Sequence, residues 1–323
     1  MYKIFVTSKI SDSALNILKS VGEVEVWDKE ETLNGEALIE QLKDKDAVLT
    51  MVNNVVTDDI IRQAPRLKVI GNCGVGYNNI DIDSAEKHGV IVTNTPDVLN
   101  DATADLTWAL ILGIARRIVE ADKFVRAGKF TGWLPHLFIG NMVYGKKLGI
   151  IGLGRIGRAV CERAKGFHME VYYYNRNPLP KAQEEVLNAT YKNLEDLLKE
   201  CDYITIHAPL NEDSYHLIGR DELNLMKKDA YLINTSRGPL IDEQALYEHL
   251  KDGKIAGAAL DVYEHEPEIV EGLLELDNVI LLPHIGSATY ETRTKMAELA
   301  ANNIANVLSG KEPLTPVTKG WRK

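Results

Sequence analysis

Lys147-Leu148-Gly149-Ile150-Ile151-Gly152-Leu153-Gly154-Arg155-Ile156-Gly157 is the stretch that decides the fold. Leu148 to Ile151 is an apolar run with strand character, and Arg155 to Lys165 has helix character. Between them the glycines stand at the spacing G-x-G-x-x-G. Gly152 permits a tight turn, Gly154 lets a pyrophosphate approach the backbone, and Gly157 lets the helix pack on the strand. Arg155 and Ile156 open that helix, whose unpaired N–H groups and positive dipole end suit phosphates. A lone glycine motif is a weak signal; strand, turn and helix in this order point to a dinucleotide site.

The next strand refines the cofactor. Glu170 to Tyr174 reads as that strand, closed by Asn175-Arg176-Asn177-Pro178. NAD sites usually place Asp or Glu about 20 residues past the glycines, on the ribose 2′-hydroxyl. Asn175 and Arg176 stand there instead. A carboxylate would repel a 2′-phosphate. Asn does not, and Arg binds it with charge-assisted hydrogen bonds. The residues therefore predict that NADP(H) is preferred, with NAD(H) also possible.

Composition sets the wider bounds. The chain has 323 residues, enough for two domains, with 45% hydrophobic and 26% charged residues as in ordinary soluble proteins. Its net charge of −10 argues against nucleic-acid and anionic-membrane partners. An anionic substrate must then be drawn in by local cations. Cys73, Cys161 and Cys201 are widely spaced and odd in number, with neither metal nor disulfide spacing. No metal site is expected. The opening MYKIFVTSKI is a strand pattern and not a signal peptide, and Thr107 to Ala115 is too short to span a bilayer. A cytoplasmic protein is expected.

Strands and helices alternate almost throughout, which predicts an α/β protein with parallel sheets covered on both faces. The first half reads as strands at Ile4–Thr7, Val24–Trp27, Ala47–Met51, Lys68–Cys73 and Val90–Thr93, separated by short helices. Asp101 to Arg117 reads as one long helix between two domains. Beyond it lie six strands: Leu148–Leu153, Val171–Tyr174, Tyr203–His207, Tyr231–Asn234, Ile255–Leu260 and Val279–Leu282. Asp242 is placed to cap a helix over Glu243–Leu250 that Gly253 stops. A last helix, Tyr290 to Leu308, is expected on the first domain, followed by a surface strap after Gly310. The expected division is a smaller, flavodoxin-like substrate domain over 1–98 plus 291–323, and a doubly wound Rossmann domain over 99–290.

Three ionisable residues follow predicted strands of the second domain. They are Arg237 in Thr-Ser-Arg-Gly-Pro, Glu266 in Asp-Val-Tyr-Glu-His-Glu-Pro, and His284 in Leu-Pro-His-Ile-Gly-Ser. Ligands bind outside the carboxyl ends of strands in open α/β sheets, so the three converge on the nicotinamide end of the cofactor. A guanidinium grips a carboxylate with two prongs, and an imidazole beside a carboxylate has its protonated form stabilised. Together they form a set for reducing a 2-oxo acid: Arg clamps the acid, His protonates the ketone oxygen and Glu orients the His.

At these residues the chain resembles the D-isomer-specific 2-hydroxyacid dehydrogenases, and within them the glyoxylate/hydroxypyruvate reductases. The resemblance spans nearly the whole chain. It is carried by Gly152–Gly157, Ile233–Gly238, Leu260–Pro267 and Leu282–Ala288, with Thr292-Arg293, Leu299–Asn303, Thr95–Leu99 and Trp133–Pro135 in support. It implies Arg237, Glu266 and His284 as catalytic residues, and Val75 and Gly76 as backbone donors to the substrate carboxylate. Trp133 and Arg293 are the further substrate contacts. Further cofactor contacts are expected at Thr103, His207, Ala208, Pro209, Thr235, Ser236, Asp261 and Gly286. The resemblance also implies a homodimer through residues roughly 101–145. Asn175 departs from the acidic residue of NAD-using relatives, and Asn78 and Asp105 from the more usual Asp and Glu. The expected substrates are small 2-oxo acids, glyoxylate and hydroxypyruvate. Two rivals stay open: an NAD-dependent D-lactate-type or 3-phosphoglycerate-type dehydrogenase, the latter often carrying an added C-terminal domain, and a dinucleotide-sensing, corepressor-like binding protein.

Overall fold

The computed structural model describes residues 1–319, so positions 320–323 of the expected substrate domain lie outside the described residues. The chain divides into two compact units: Met1–Leu99 with the stretch from Ser287 onward, and Asn100–Gly286. Both are α/β, as the alternation of strand and helix patterns requires.

In the first unit the strands are β1 Tyr2–Val6, β2 Gly22–Val26, β3 Ala47–Met51, β4 Val69–Cys73 and β5 Ile91–Thr93. Helices α1 Asp12–Lys19, α2 Gly35–Leu42, α3 Asp58–Gln63 and α4 Ile82–Lys87 connect them. All pair in parallel in the order β2-β1-β3-β4-β5, the flavodoxin-like order. β4 is buried along its whole length, as a strand covered on both faces must be.

The second unit opens with α5 Asn100–Ala115 and α6 Ile118–Arg126, then β6 Lys147–Ile151 and α7 Arg155–Ala164. It continues with β7 Glu170–Tyr174, α8 Lys181–Leu187, β8 Ala189–Tyr191, α9 Leu194–Glu200 and β9 Tyr203–Ile206. It ends with α10 Arg220–Leu225, β10 Tyr231–Asn234, α11 Glu243–Lys251, β11 Gly257–Leu260 and β12 Val279–Leu281. The seven strands run in parallel in the order β12-β11-β10-β9-β6-β7-β8. This is a doubly wound Rossmann sheet with one strand more than the six predicted. The extra strand, β8, is only Ala-Thr-Tyr and extends the sheet by pairing with β7. Three residues are too few to carry a readable period.

A second correction concerns the long helix. It ends at Ala115, not Arg117. The Ala115 carbonyl accepts the Asn141 N–H at 2.8 Å, Arg117 turns left-handed at φ 53°, and α6 begins. The Asp242 carboxylate caps α11 through the Ala245 N–H at 2.9 Å, and Gly253 follows its end at φ 61°.

The last helix, α12 Tyr290–Leu308, packs on α1 and β4 within the first unit. Gly71 makes room for it, since a Cβ there would meet Ile304 at 2.8 Å. The strap beyond lies on the β5 edge: Val317 N–H donates to Val92 O at 2.8 Å, and Thr93 bridges Pro316 antiparallel. An otherwise open edge is thereby covered.

The three cysteines are unpaired and buried. Burial pushes their thiols up, Cys73 and Cys161 to about 11 and Cys201 to about 12. Among the described residues no helix is long and apolar enough to cross a membrane, and no cluster of His, Cys, Asp and Glu suits a metal.

Candidate active site

Strand order in the second unit reverses between β6 and β9, the place where doubly wound sheets open a crevice. The three glycines after β6 differ in surroundings as a dinucleotide requires. Gly152 has φ 96° and lies so close to the chain after β9 that a Cβ would sit 2.5 Å from Ala208 N. Gly157 packs back on the turn, with a Cβ there 2.3 Å from Gly152 O. Gly154 faces open space, with nothing within 4 Å of an added Cβ. The middle position, where a pyrophosphate must approach, is the open one, so the residues fit the group. Arg155 and Ile156 begin α7 between these glycines.

The other expected cofactor residues lie around the same strand ends. The Asn175 side-chain oxygen accepts the Leu153 N–H at 2.7 Å, tying the end of β7 to the glycine turn. Arg176 and Asn177 follow it into solvent, where the Arg176 guanidinium pairs with Asp213 at 2.8 Å. His207, Ala208 and Pro209 follow β9, and Ser236 after β10 donates to Ala208 O at 2.6 Å. Thr235 is hydrogen-bonded to Thr107 of α5 at 2.9 Å, and Thr107 donates to Thr103 O at 2.8 Å. His207 is held neutral, its pKa brought down to about 3 by burial; its Nε2 meets the Thr205 hydroxyl at 2.9 Å. Its buried Nδ1 has no partner among the described residues.

The ionisable trio stands at the ends of β10, β11 and β12. His284 Nδ1 lies 2.9 Å from Glu266 Oε2, and both side chains are about one-third exposed, at 32% and 34%. The other Glu266 oxygen accepts the Tyr263 N–H at 3.1 Å. Burial raises the Glu266 carboxyl. The hydrogen bond and charge of His284, the Tyr263 N–H and the Arg237 charge outweigh it, so the carboxyl titrates below its usual range. Arg237 is half-buried, its guanidinium bonded to Ser236 O at 2.8 Å. Burial draws its pKa down and Glu266 opposes that.

His284 takes a left-handed backbone, φ 55°. Its turn is held by buried Asp261, whose two oxygens accept the Ile285 and Gly286 N–H groups at 2.7 Å each. The Tyr263 hydroxyl donates to Leu282 O at 2.8 Å, joining the Glu266 loop to the His284 strand. Gly238 completes the framework: a Cβ there would meet Tyr263 O at 1.8 Å, so the Arg237 turn lies directly on the Glu266 loop.

The remaining expected residues stand elsewhere. Trp133 is 83% exposed in the second unit. In the first unit the carbonyls of Val75 and Gly76 accept from the amides of Asn94 and Asn72, at 2.8 and 2.9 Å. Arg293 lies in the first turn of α12. Asp213, Asn72, Asn94 and Thr107 were not singled out from the sequence. None belongs to a motif; Asp213, Asn94 and Thr107 act through partners distant in sequence, and Asn72 through Gly76 in the turn that follows it.

The profile of the D-isomer specific 2-hydroxyacid dehydrogenase NAD-binding domain matches residues 108–286. The glyoxylate reductase of Thermococcus gammatolerans is 48% identical over 98% of this chain and 96% of its own length. The chain belongs to the D-isomer specific 2-hydroxyacid dehydrogenases. A dehydrogenase of this family is an oxidoreductase acting between 2-hydroxy and 2-oxo acids with a nicotinamide dinucleotide. Its solved relatives include the TT0316 protein of Thermus thermophilus, 40% identical with a TM-score of 0.92 over 98% of this chain and all of that one. Another is an NADPH-dependent glyoxylate/hydroxypyruvate reductase of Sinorhizobium meliloti, solved with NADP and malonate. It is 32% identical, TM-score 0.87, covering 99% of this chain and 97% of the other.

Proposed function

We propose that this dehydrogenase reduces glyoxylate and hydroxypyruvate to the corresponding 2-hydroxy acids, with NADPH preferred over NADH. The observation that carries the reaction is the Glu266–His284 pair beside Arg237, after β10, β11 and β12 of the parallel sheet whose β6 leads into the glycine turn. The nicotinamide supplies the hydride. Arg237 clamps the substrate carboxylate and aligns its ketone. His284, with Nδ1 engaged by Glu266, presents Nε2 to the ketone oxygen and releases a proton there. Glu266 fixes the ring and stabilises its protonated form. The Val75–Gly76 turn serves as an anion-binding element of the first unit, and Arg293 and Trp133 as substrate contacts.

The NADPH preference rests on Asn175 and Arg176, and the resemblance to NADPH-dependent relatives supports it. NADH use is the second reading, favoured by the ion pair that already occupies Arg176. A homodimer is proposed through residues 101–145. Ile118, Val125, Phe130, Trp133, Ile139 and Met142 of that stretch are all more than half exposed, an apolar surface that suits a partner subunit.

The test is steady-state kinetics with glyoxylate, hydroxypyruvate, pyruvate and phenylpyruvate, each with NADPH and NADH at fixed ionic strength. The reading expects glyoxylate or hydroxypyruvate to give the highest kcat/KM, and NADPH the lower KM. Arg176→Ala is expected to weaken NADPH by roughly ten- to a hundredfold, the size of one charged hydrogen bond, and to spare NADH. A wild type that favours NADH tenfold overturns the cofactor assignment.

A further inference from the structure

We infer that Glu243 is a positioning residue for the reaction: its buried carboxylate anchors both feet of the loop that carries Glu266. Glu243 is the first residue of α11 and is 4% exposed. Its Oε2 accepts the Glu264 N–H at 2.8 Å and its Oε1 accepts the Val270 N–H at 2.8 Å. The two donors flank Glu266 on either side. Between them the chain closes on itself, the Glu268 N–H donating to His265 O at 2.9 Å.

The grip is reciprocal. Glu264 Oε2 accepts the Glu243 N–H at 3.3 Å, while its Oε1 takes His216 Nε2 at 2.6 Å and the Tyr215 hydroxyl at 3.2 Å. A buried carboxylate is costly unless its oxygens are hydrogen-bonded. Glu243 meets that cost with two peptide N–H groups from one short loop, so the loop cannot drift without stripping a buried charge. Two charge-assisted bonds therefore hold Glu266 within reach of His284. Nothing in the acid–base chemistry itself uses Glu243. It acts through Glu266, and the inference rests on the proton-donor role given above to His284.

Two variants test this. In Glu243→Gln the side chain keeps its size but offers an N–H where an acceptor is needed. In Val270→Pro the carboxylate stays and one donor is deleted. Val270 has φ −53°, within proline's range, so the backbone torsion is kept while the ring displaces Glu243 Oε1 from the lost N–H; a thermal melt of each variant establishes that it is folded before its profile is read. The pH profile of 2-oxo acid reduction is measured for wild type, both variants and Glu266→Gln. The pair with His284 helps to hold the Glu266 carboxyl below its usual range, so loosened pairing changes the pH profile of kcat/KM. Both variants are expected to shift part of the way toward Glu266→Gln. The reduction kcat should drop about tenfold, as for one lost charged hydrogen bond, with cofactor KM unchanged. A purely structural role would lower thermal stability and leave the profile in place. A shift in Glu266→Gln without one in either loop variant overturns the role of Glu243 alone. An unchanged profile in Glu266→Gln overturns the pairing with His284, and this inference with it.

Discussion

At the scale of single residues, the division of labour proposed for Arg237, Glu266 and His284 has separable kinetic signatures. His284→Ala is expected to lower kcat by roughly 10² to 10⁴, the usual contribution of a positioned acid, with little change in cofactor affinity. Glu266→Gln should act on the pH profile of reduction instead, because the low-titrating carboxylate paired with His284 is gone. Stopped-flow reduction across pH 5 to 9, on the order of the range that histidine titration spans, reads both. Arg237→Lys should raise substrate KM and lower kcat together, since a point charge cannot reproduce the two-pronged grip that also aligns the ketone. Near-normal constants in that variant would remove Arg237 from the clamp. The trio was legible in the sequence because each member follows a strand of recognisable pattern. Asp213, which holds Arg176, was not: it sits in a single exposed 3-10 turn, and ion pairing between residues 37 apart leaves no local period.

At the scale of elements, the decisive contacts are made by connections and not by strands. The turn after β10 lies against the loop after β11 at Gly238, with no room for even one methyl group. Gly238→Ala must therefore push the Arg237 turn and the Glu266 loop apart. The expected result is a loss of roughly 1–3 kcal/mol of stability from overpacking, and a fall in kcat larger than any change in cofactor KM. Chemical denaturation and steady-state kinetics on the same preparation check it, and unchanged kinetics would mean that the segments move independently. Most elements could be read in advance from apolar periodicity, α12 to the residue. Two of those that could not share a cause. β8 is defined by its pairing with β7, and the break between α5 and α6 by an N–H from Asn141, so both depend on tertiary partners that a local pattern does not encode.

At the scale of the whole molecule, one half-buried imidazole couples stability to pH. The folded chain keeps His207 neutral down to about pH 3, whereas an unfolded histidine takes up its proton near pH 6.5. Between these values the unfolded state binds the extra proton, so stability falls as pH drops, by up to ~1.4 kcal/mol per pH unit, and the dependence ends below the lower value. Denaturant titrations from pH 7 to 3, within that window, should show the slope, and His207→Asn should flatten it. A wild-type curve parallel to that of the variant would show that the imidazole does not set it. The three inert thiols turn the molecule into its own unfolding clock. A thiol-reactive disulfide reagent needs a thiolate in solvent, and burial denies it both, so modification proceeds only through opened forms. Cys73 times the opening of the first unit, and Cys161 and Cys201 that of the second. Saturating dinucleotide should therefore protect the latter pair far more than Cys73, and peptide mass mapping of the modified chain would display the two rates side by side.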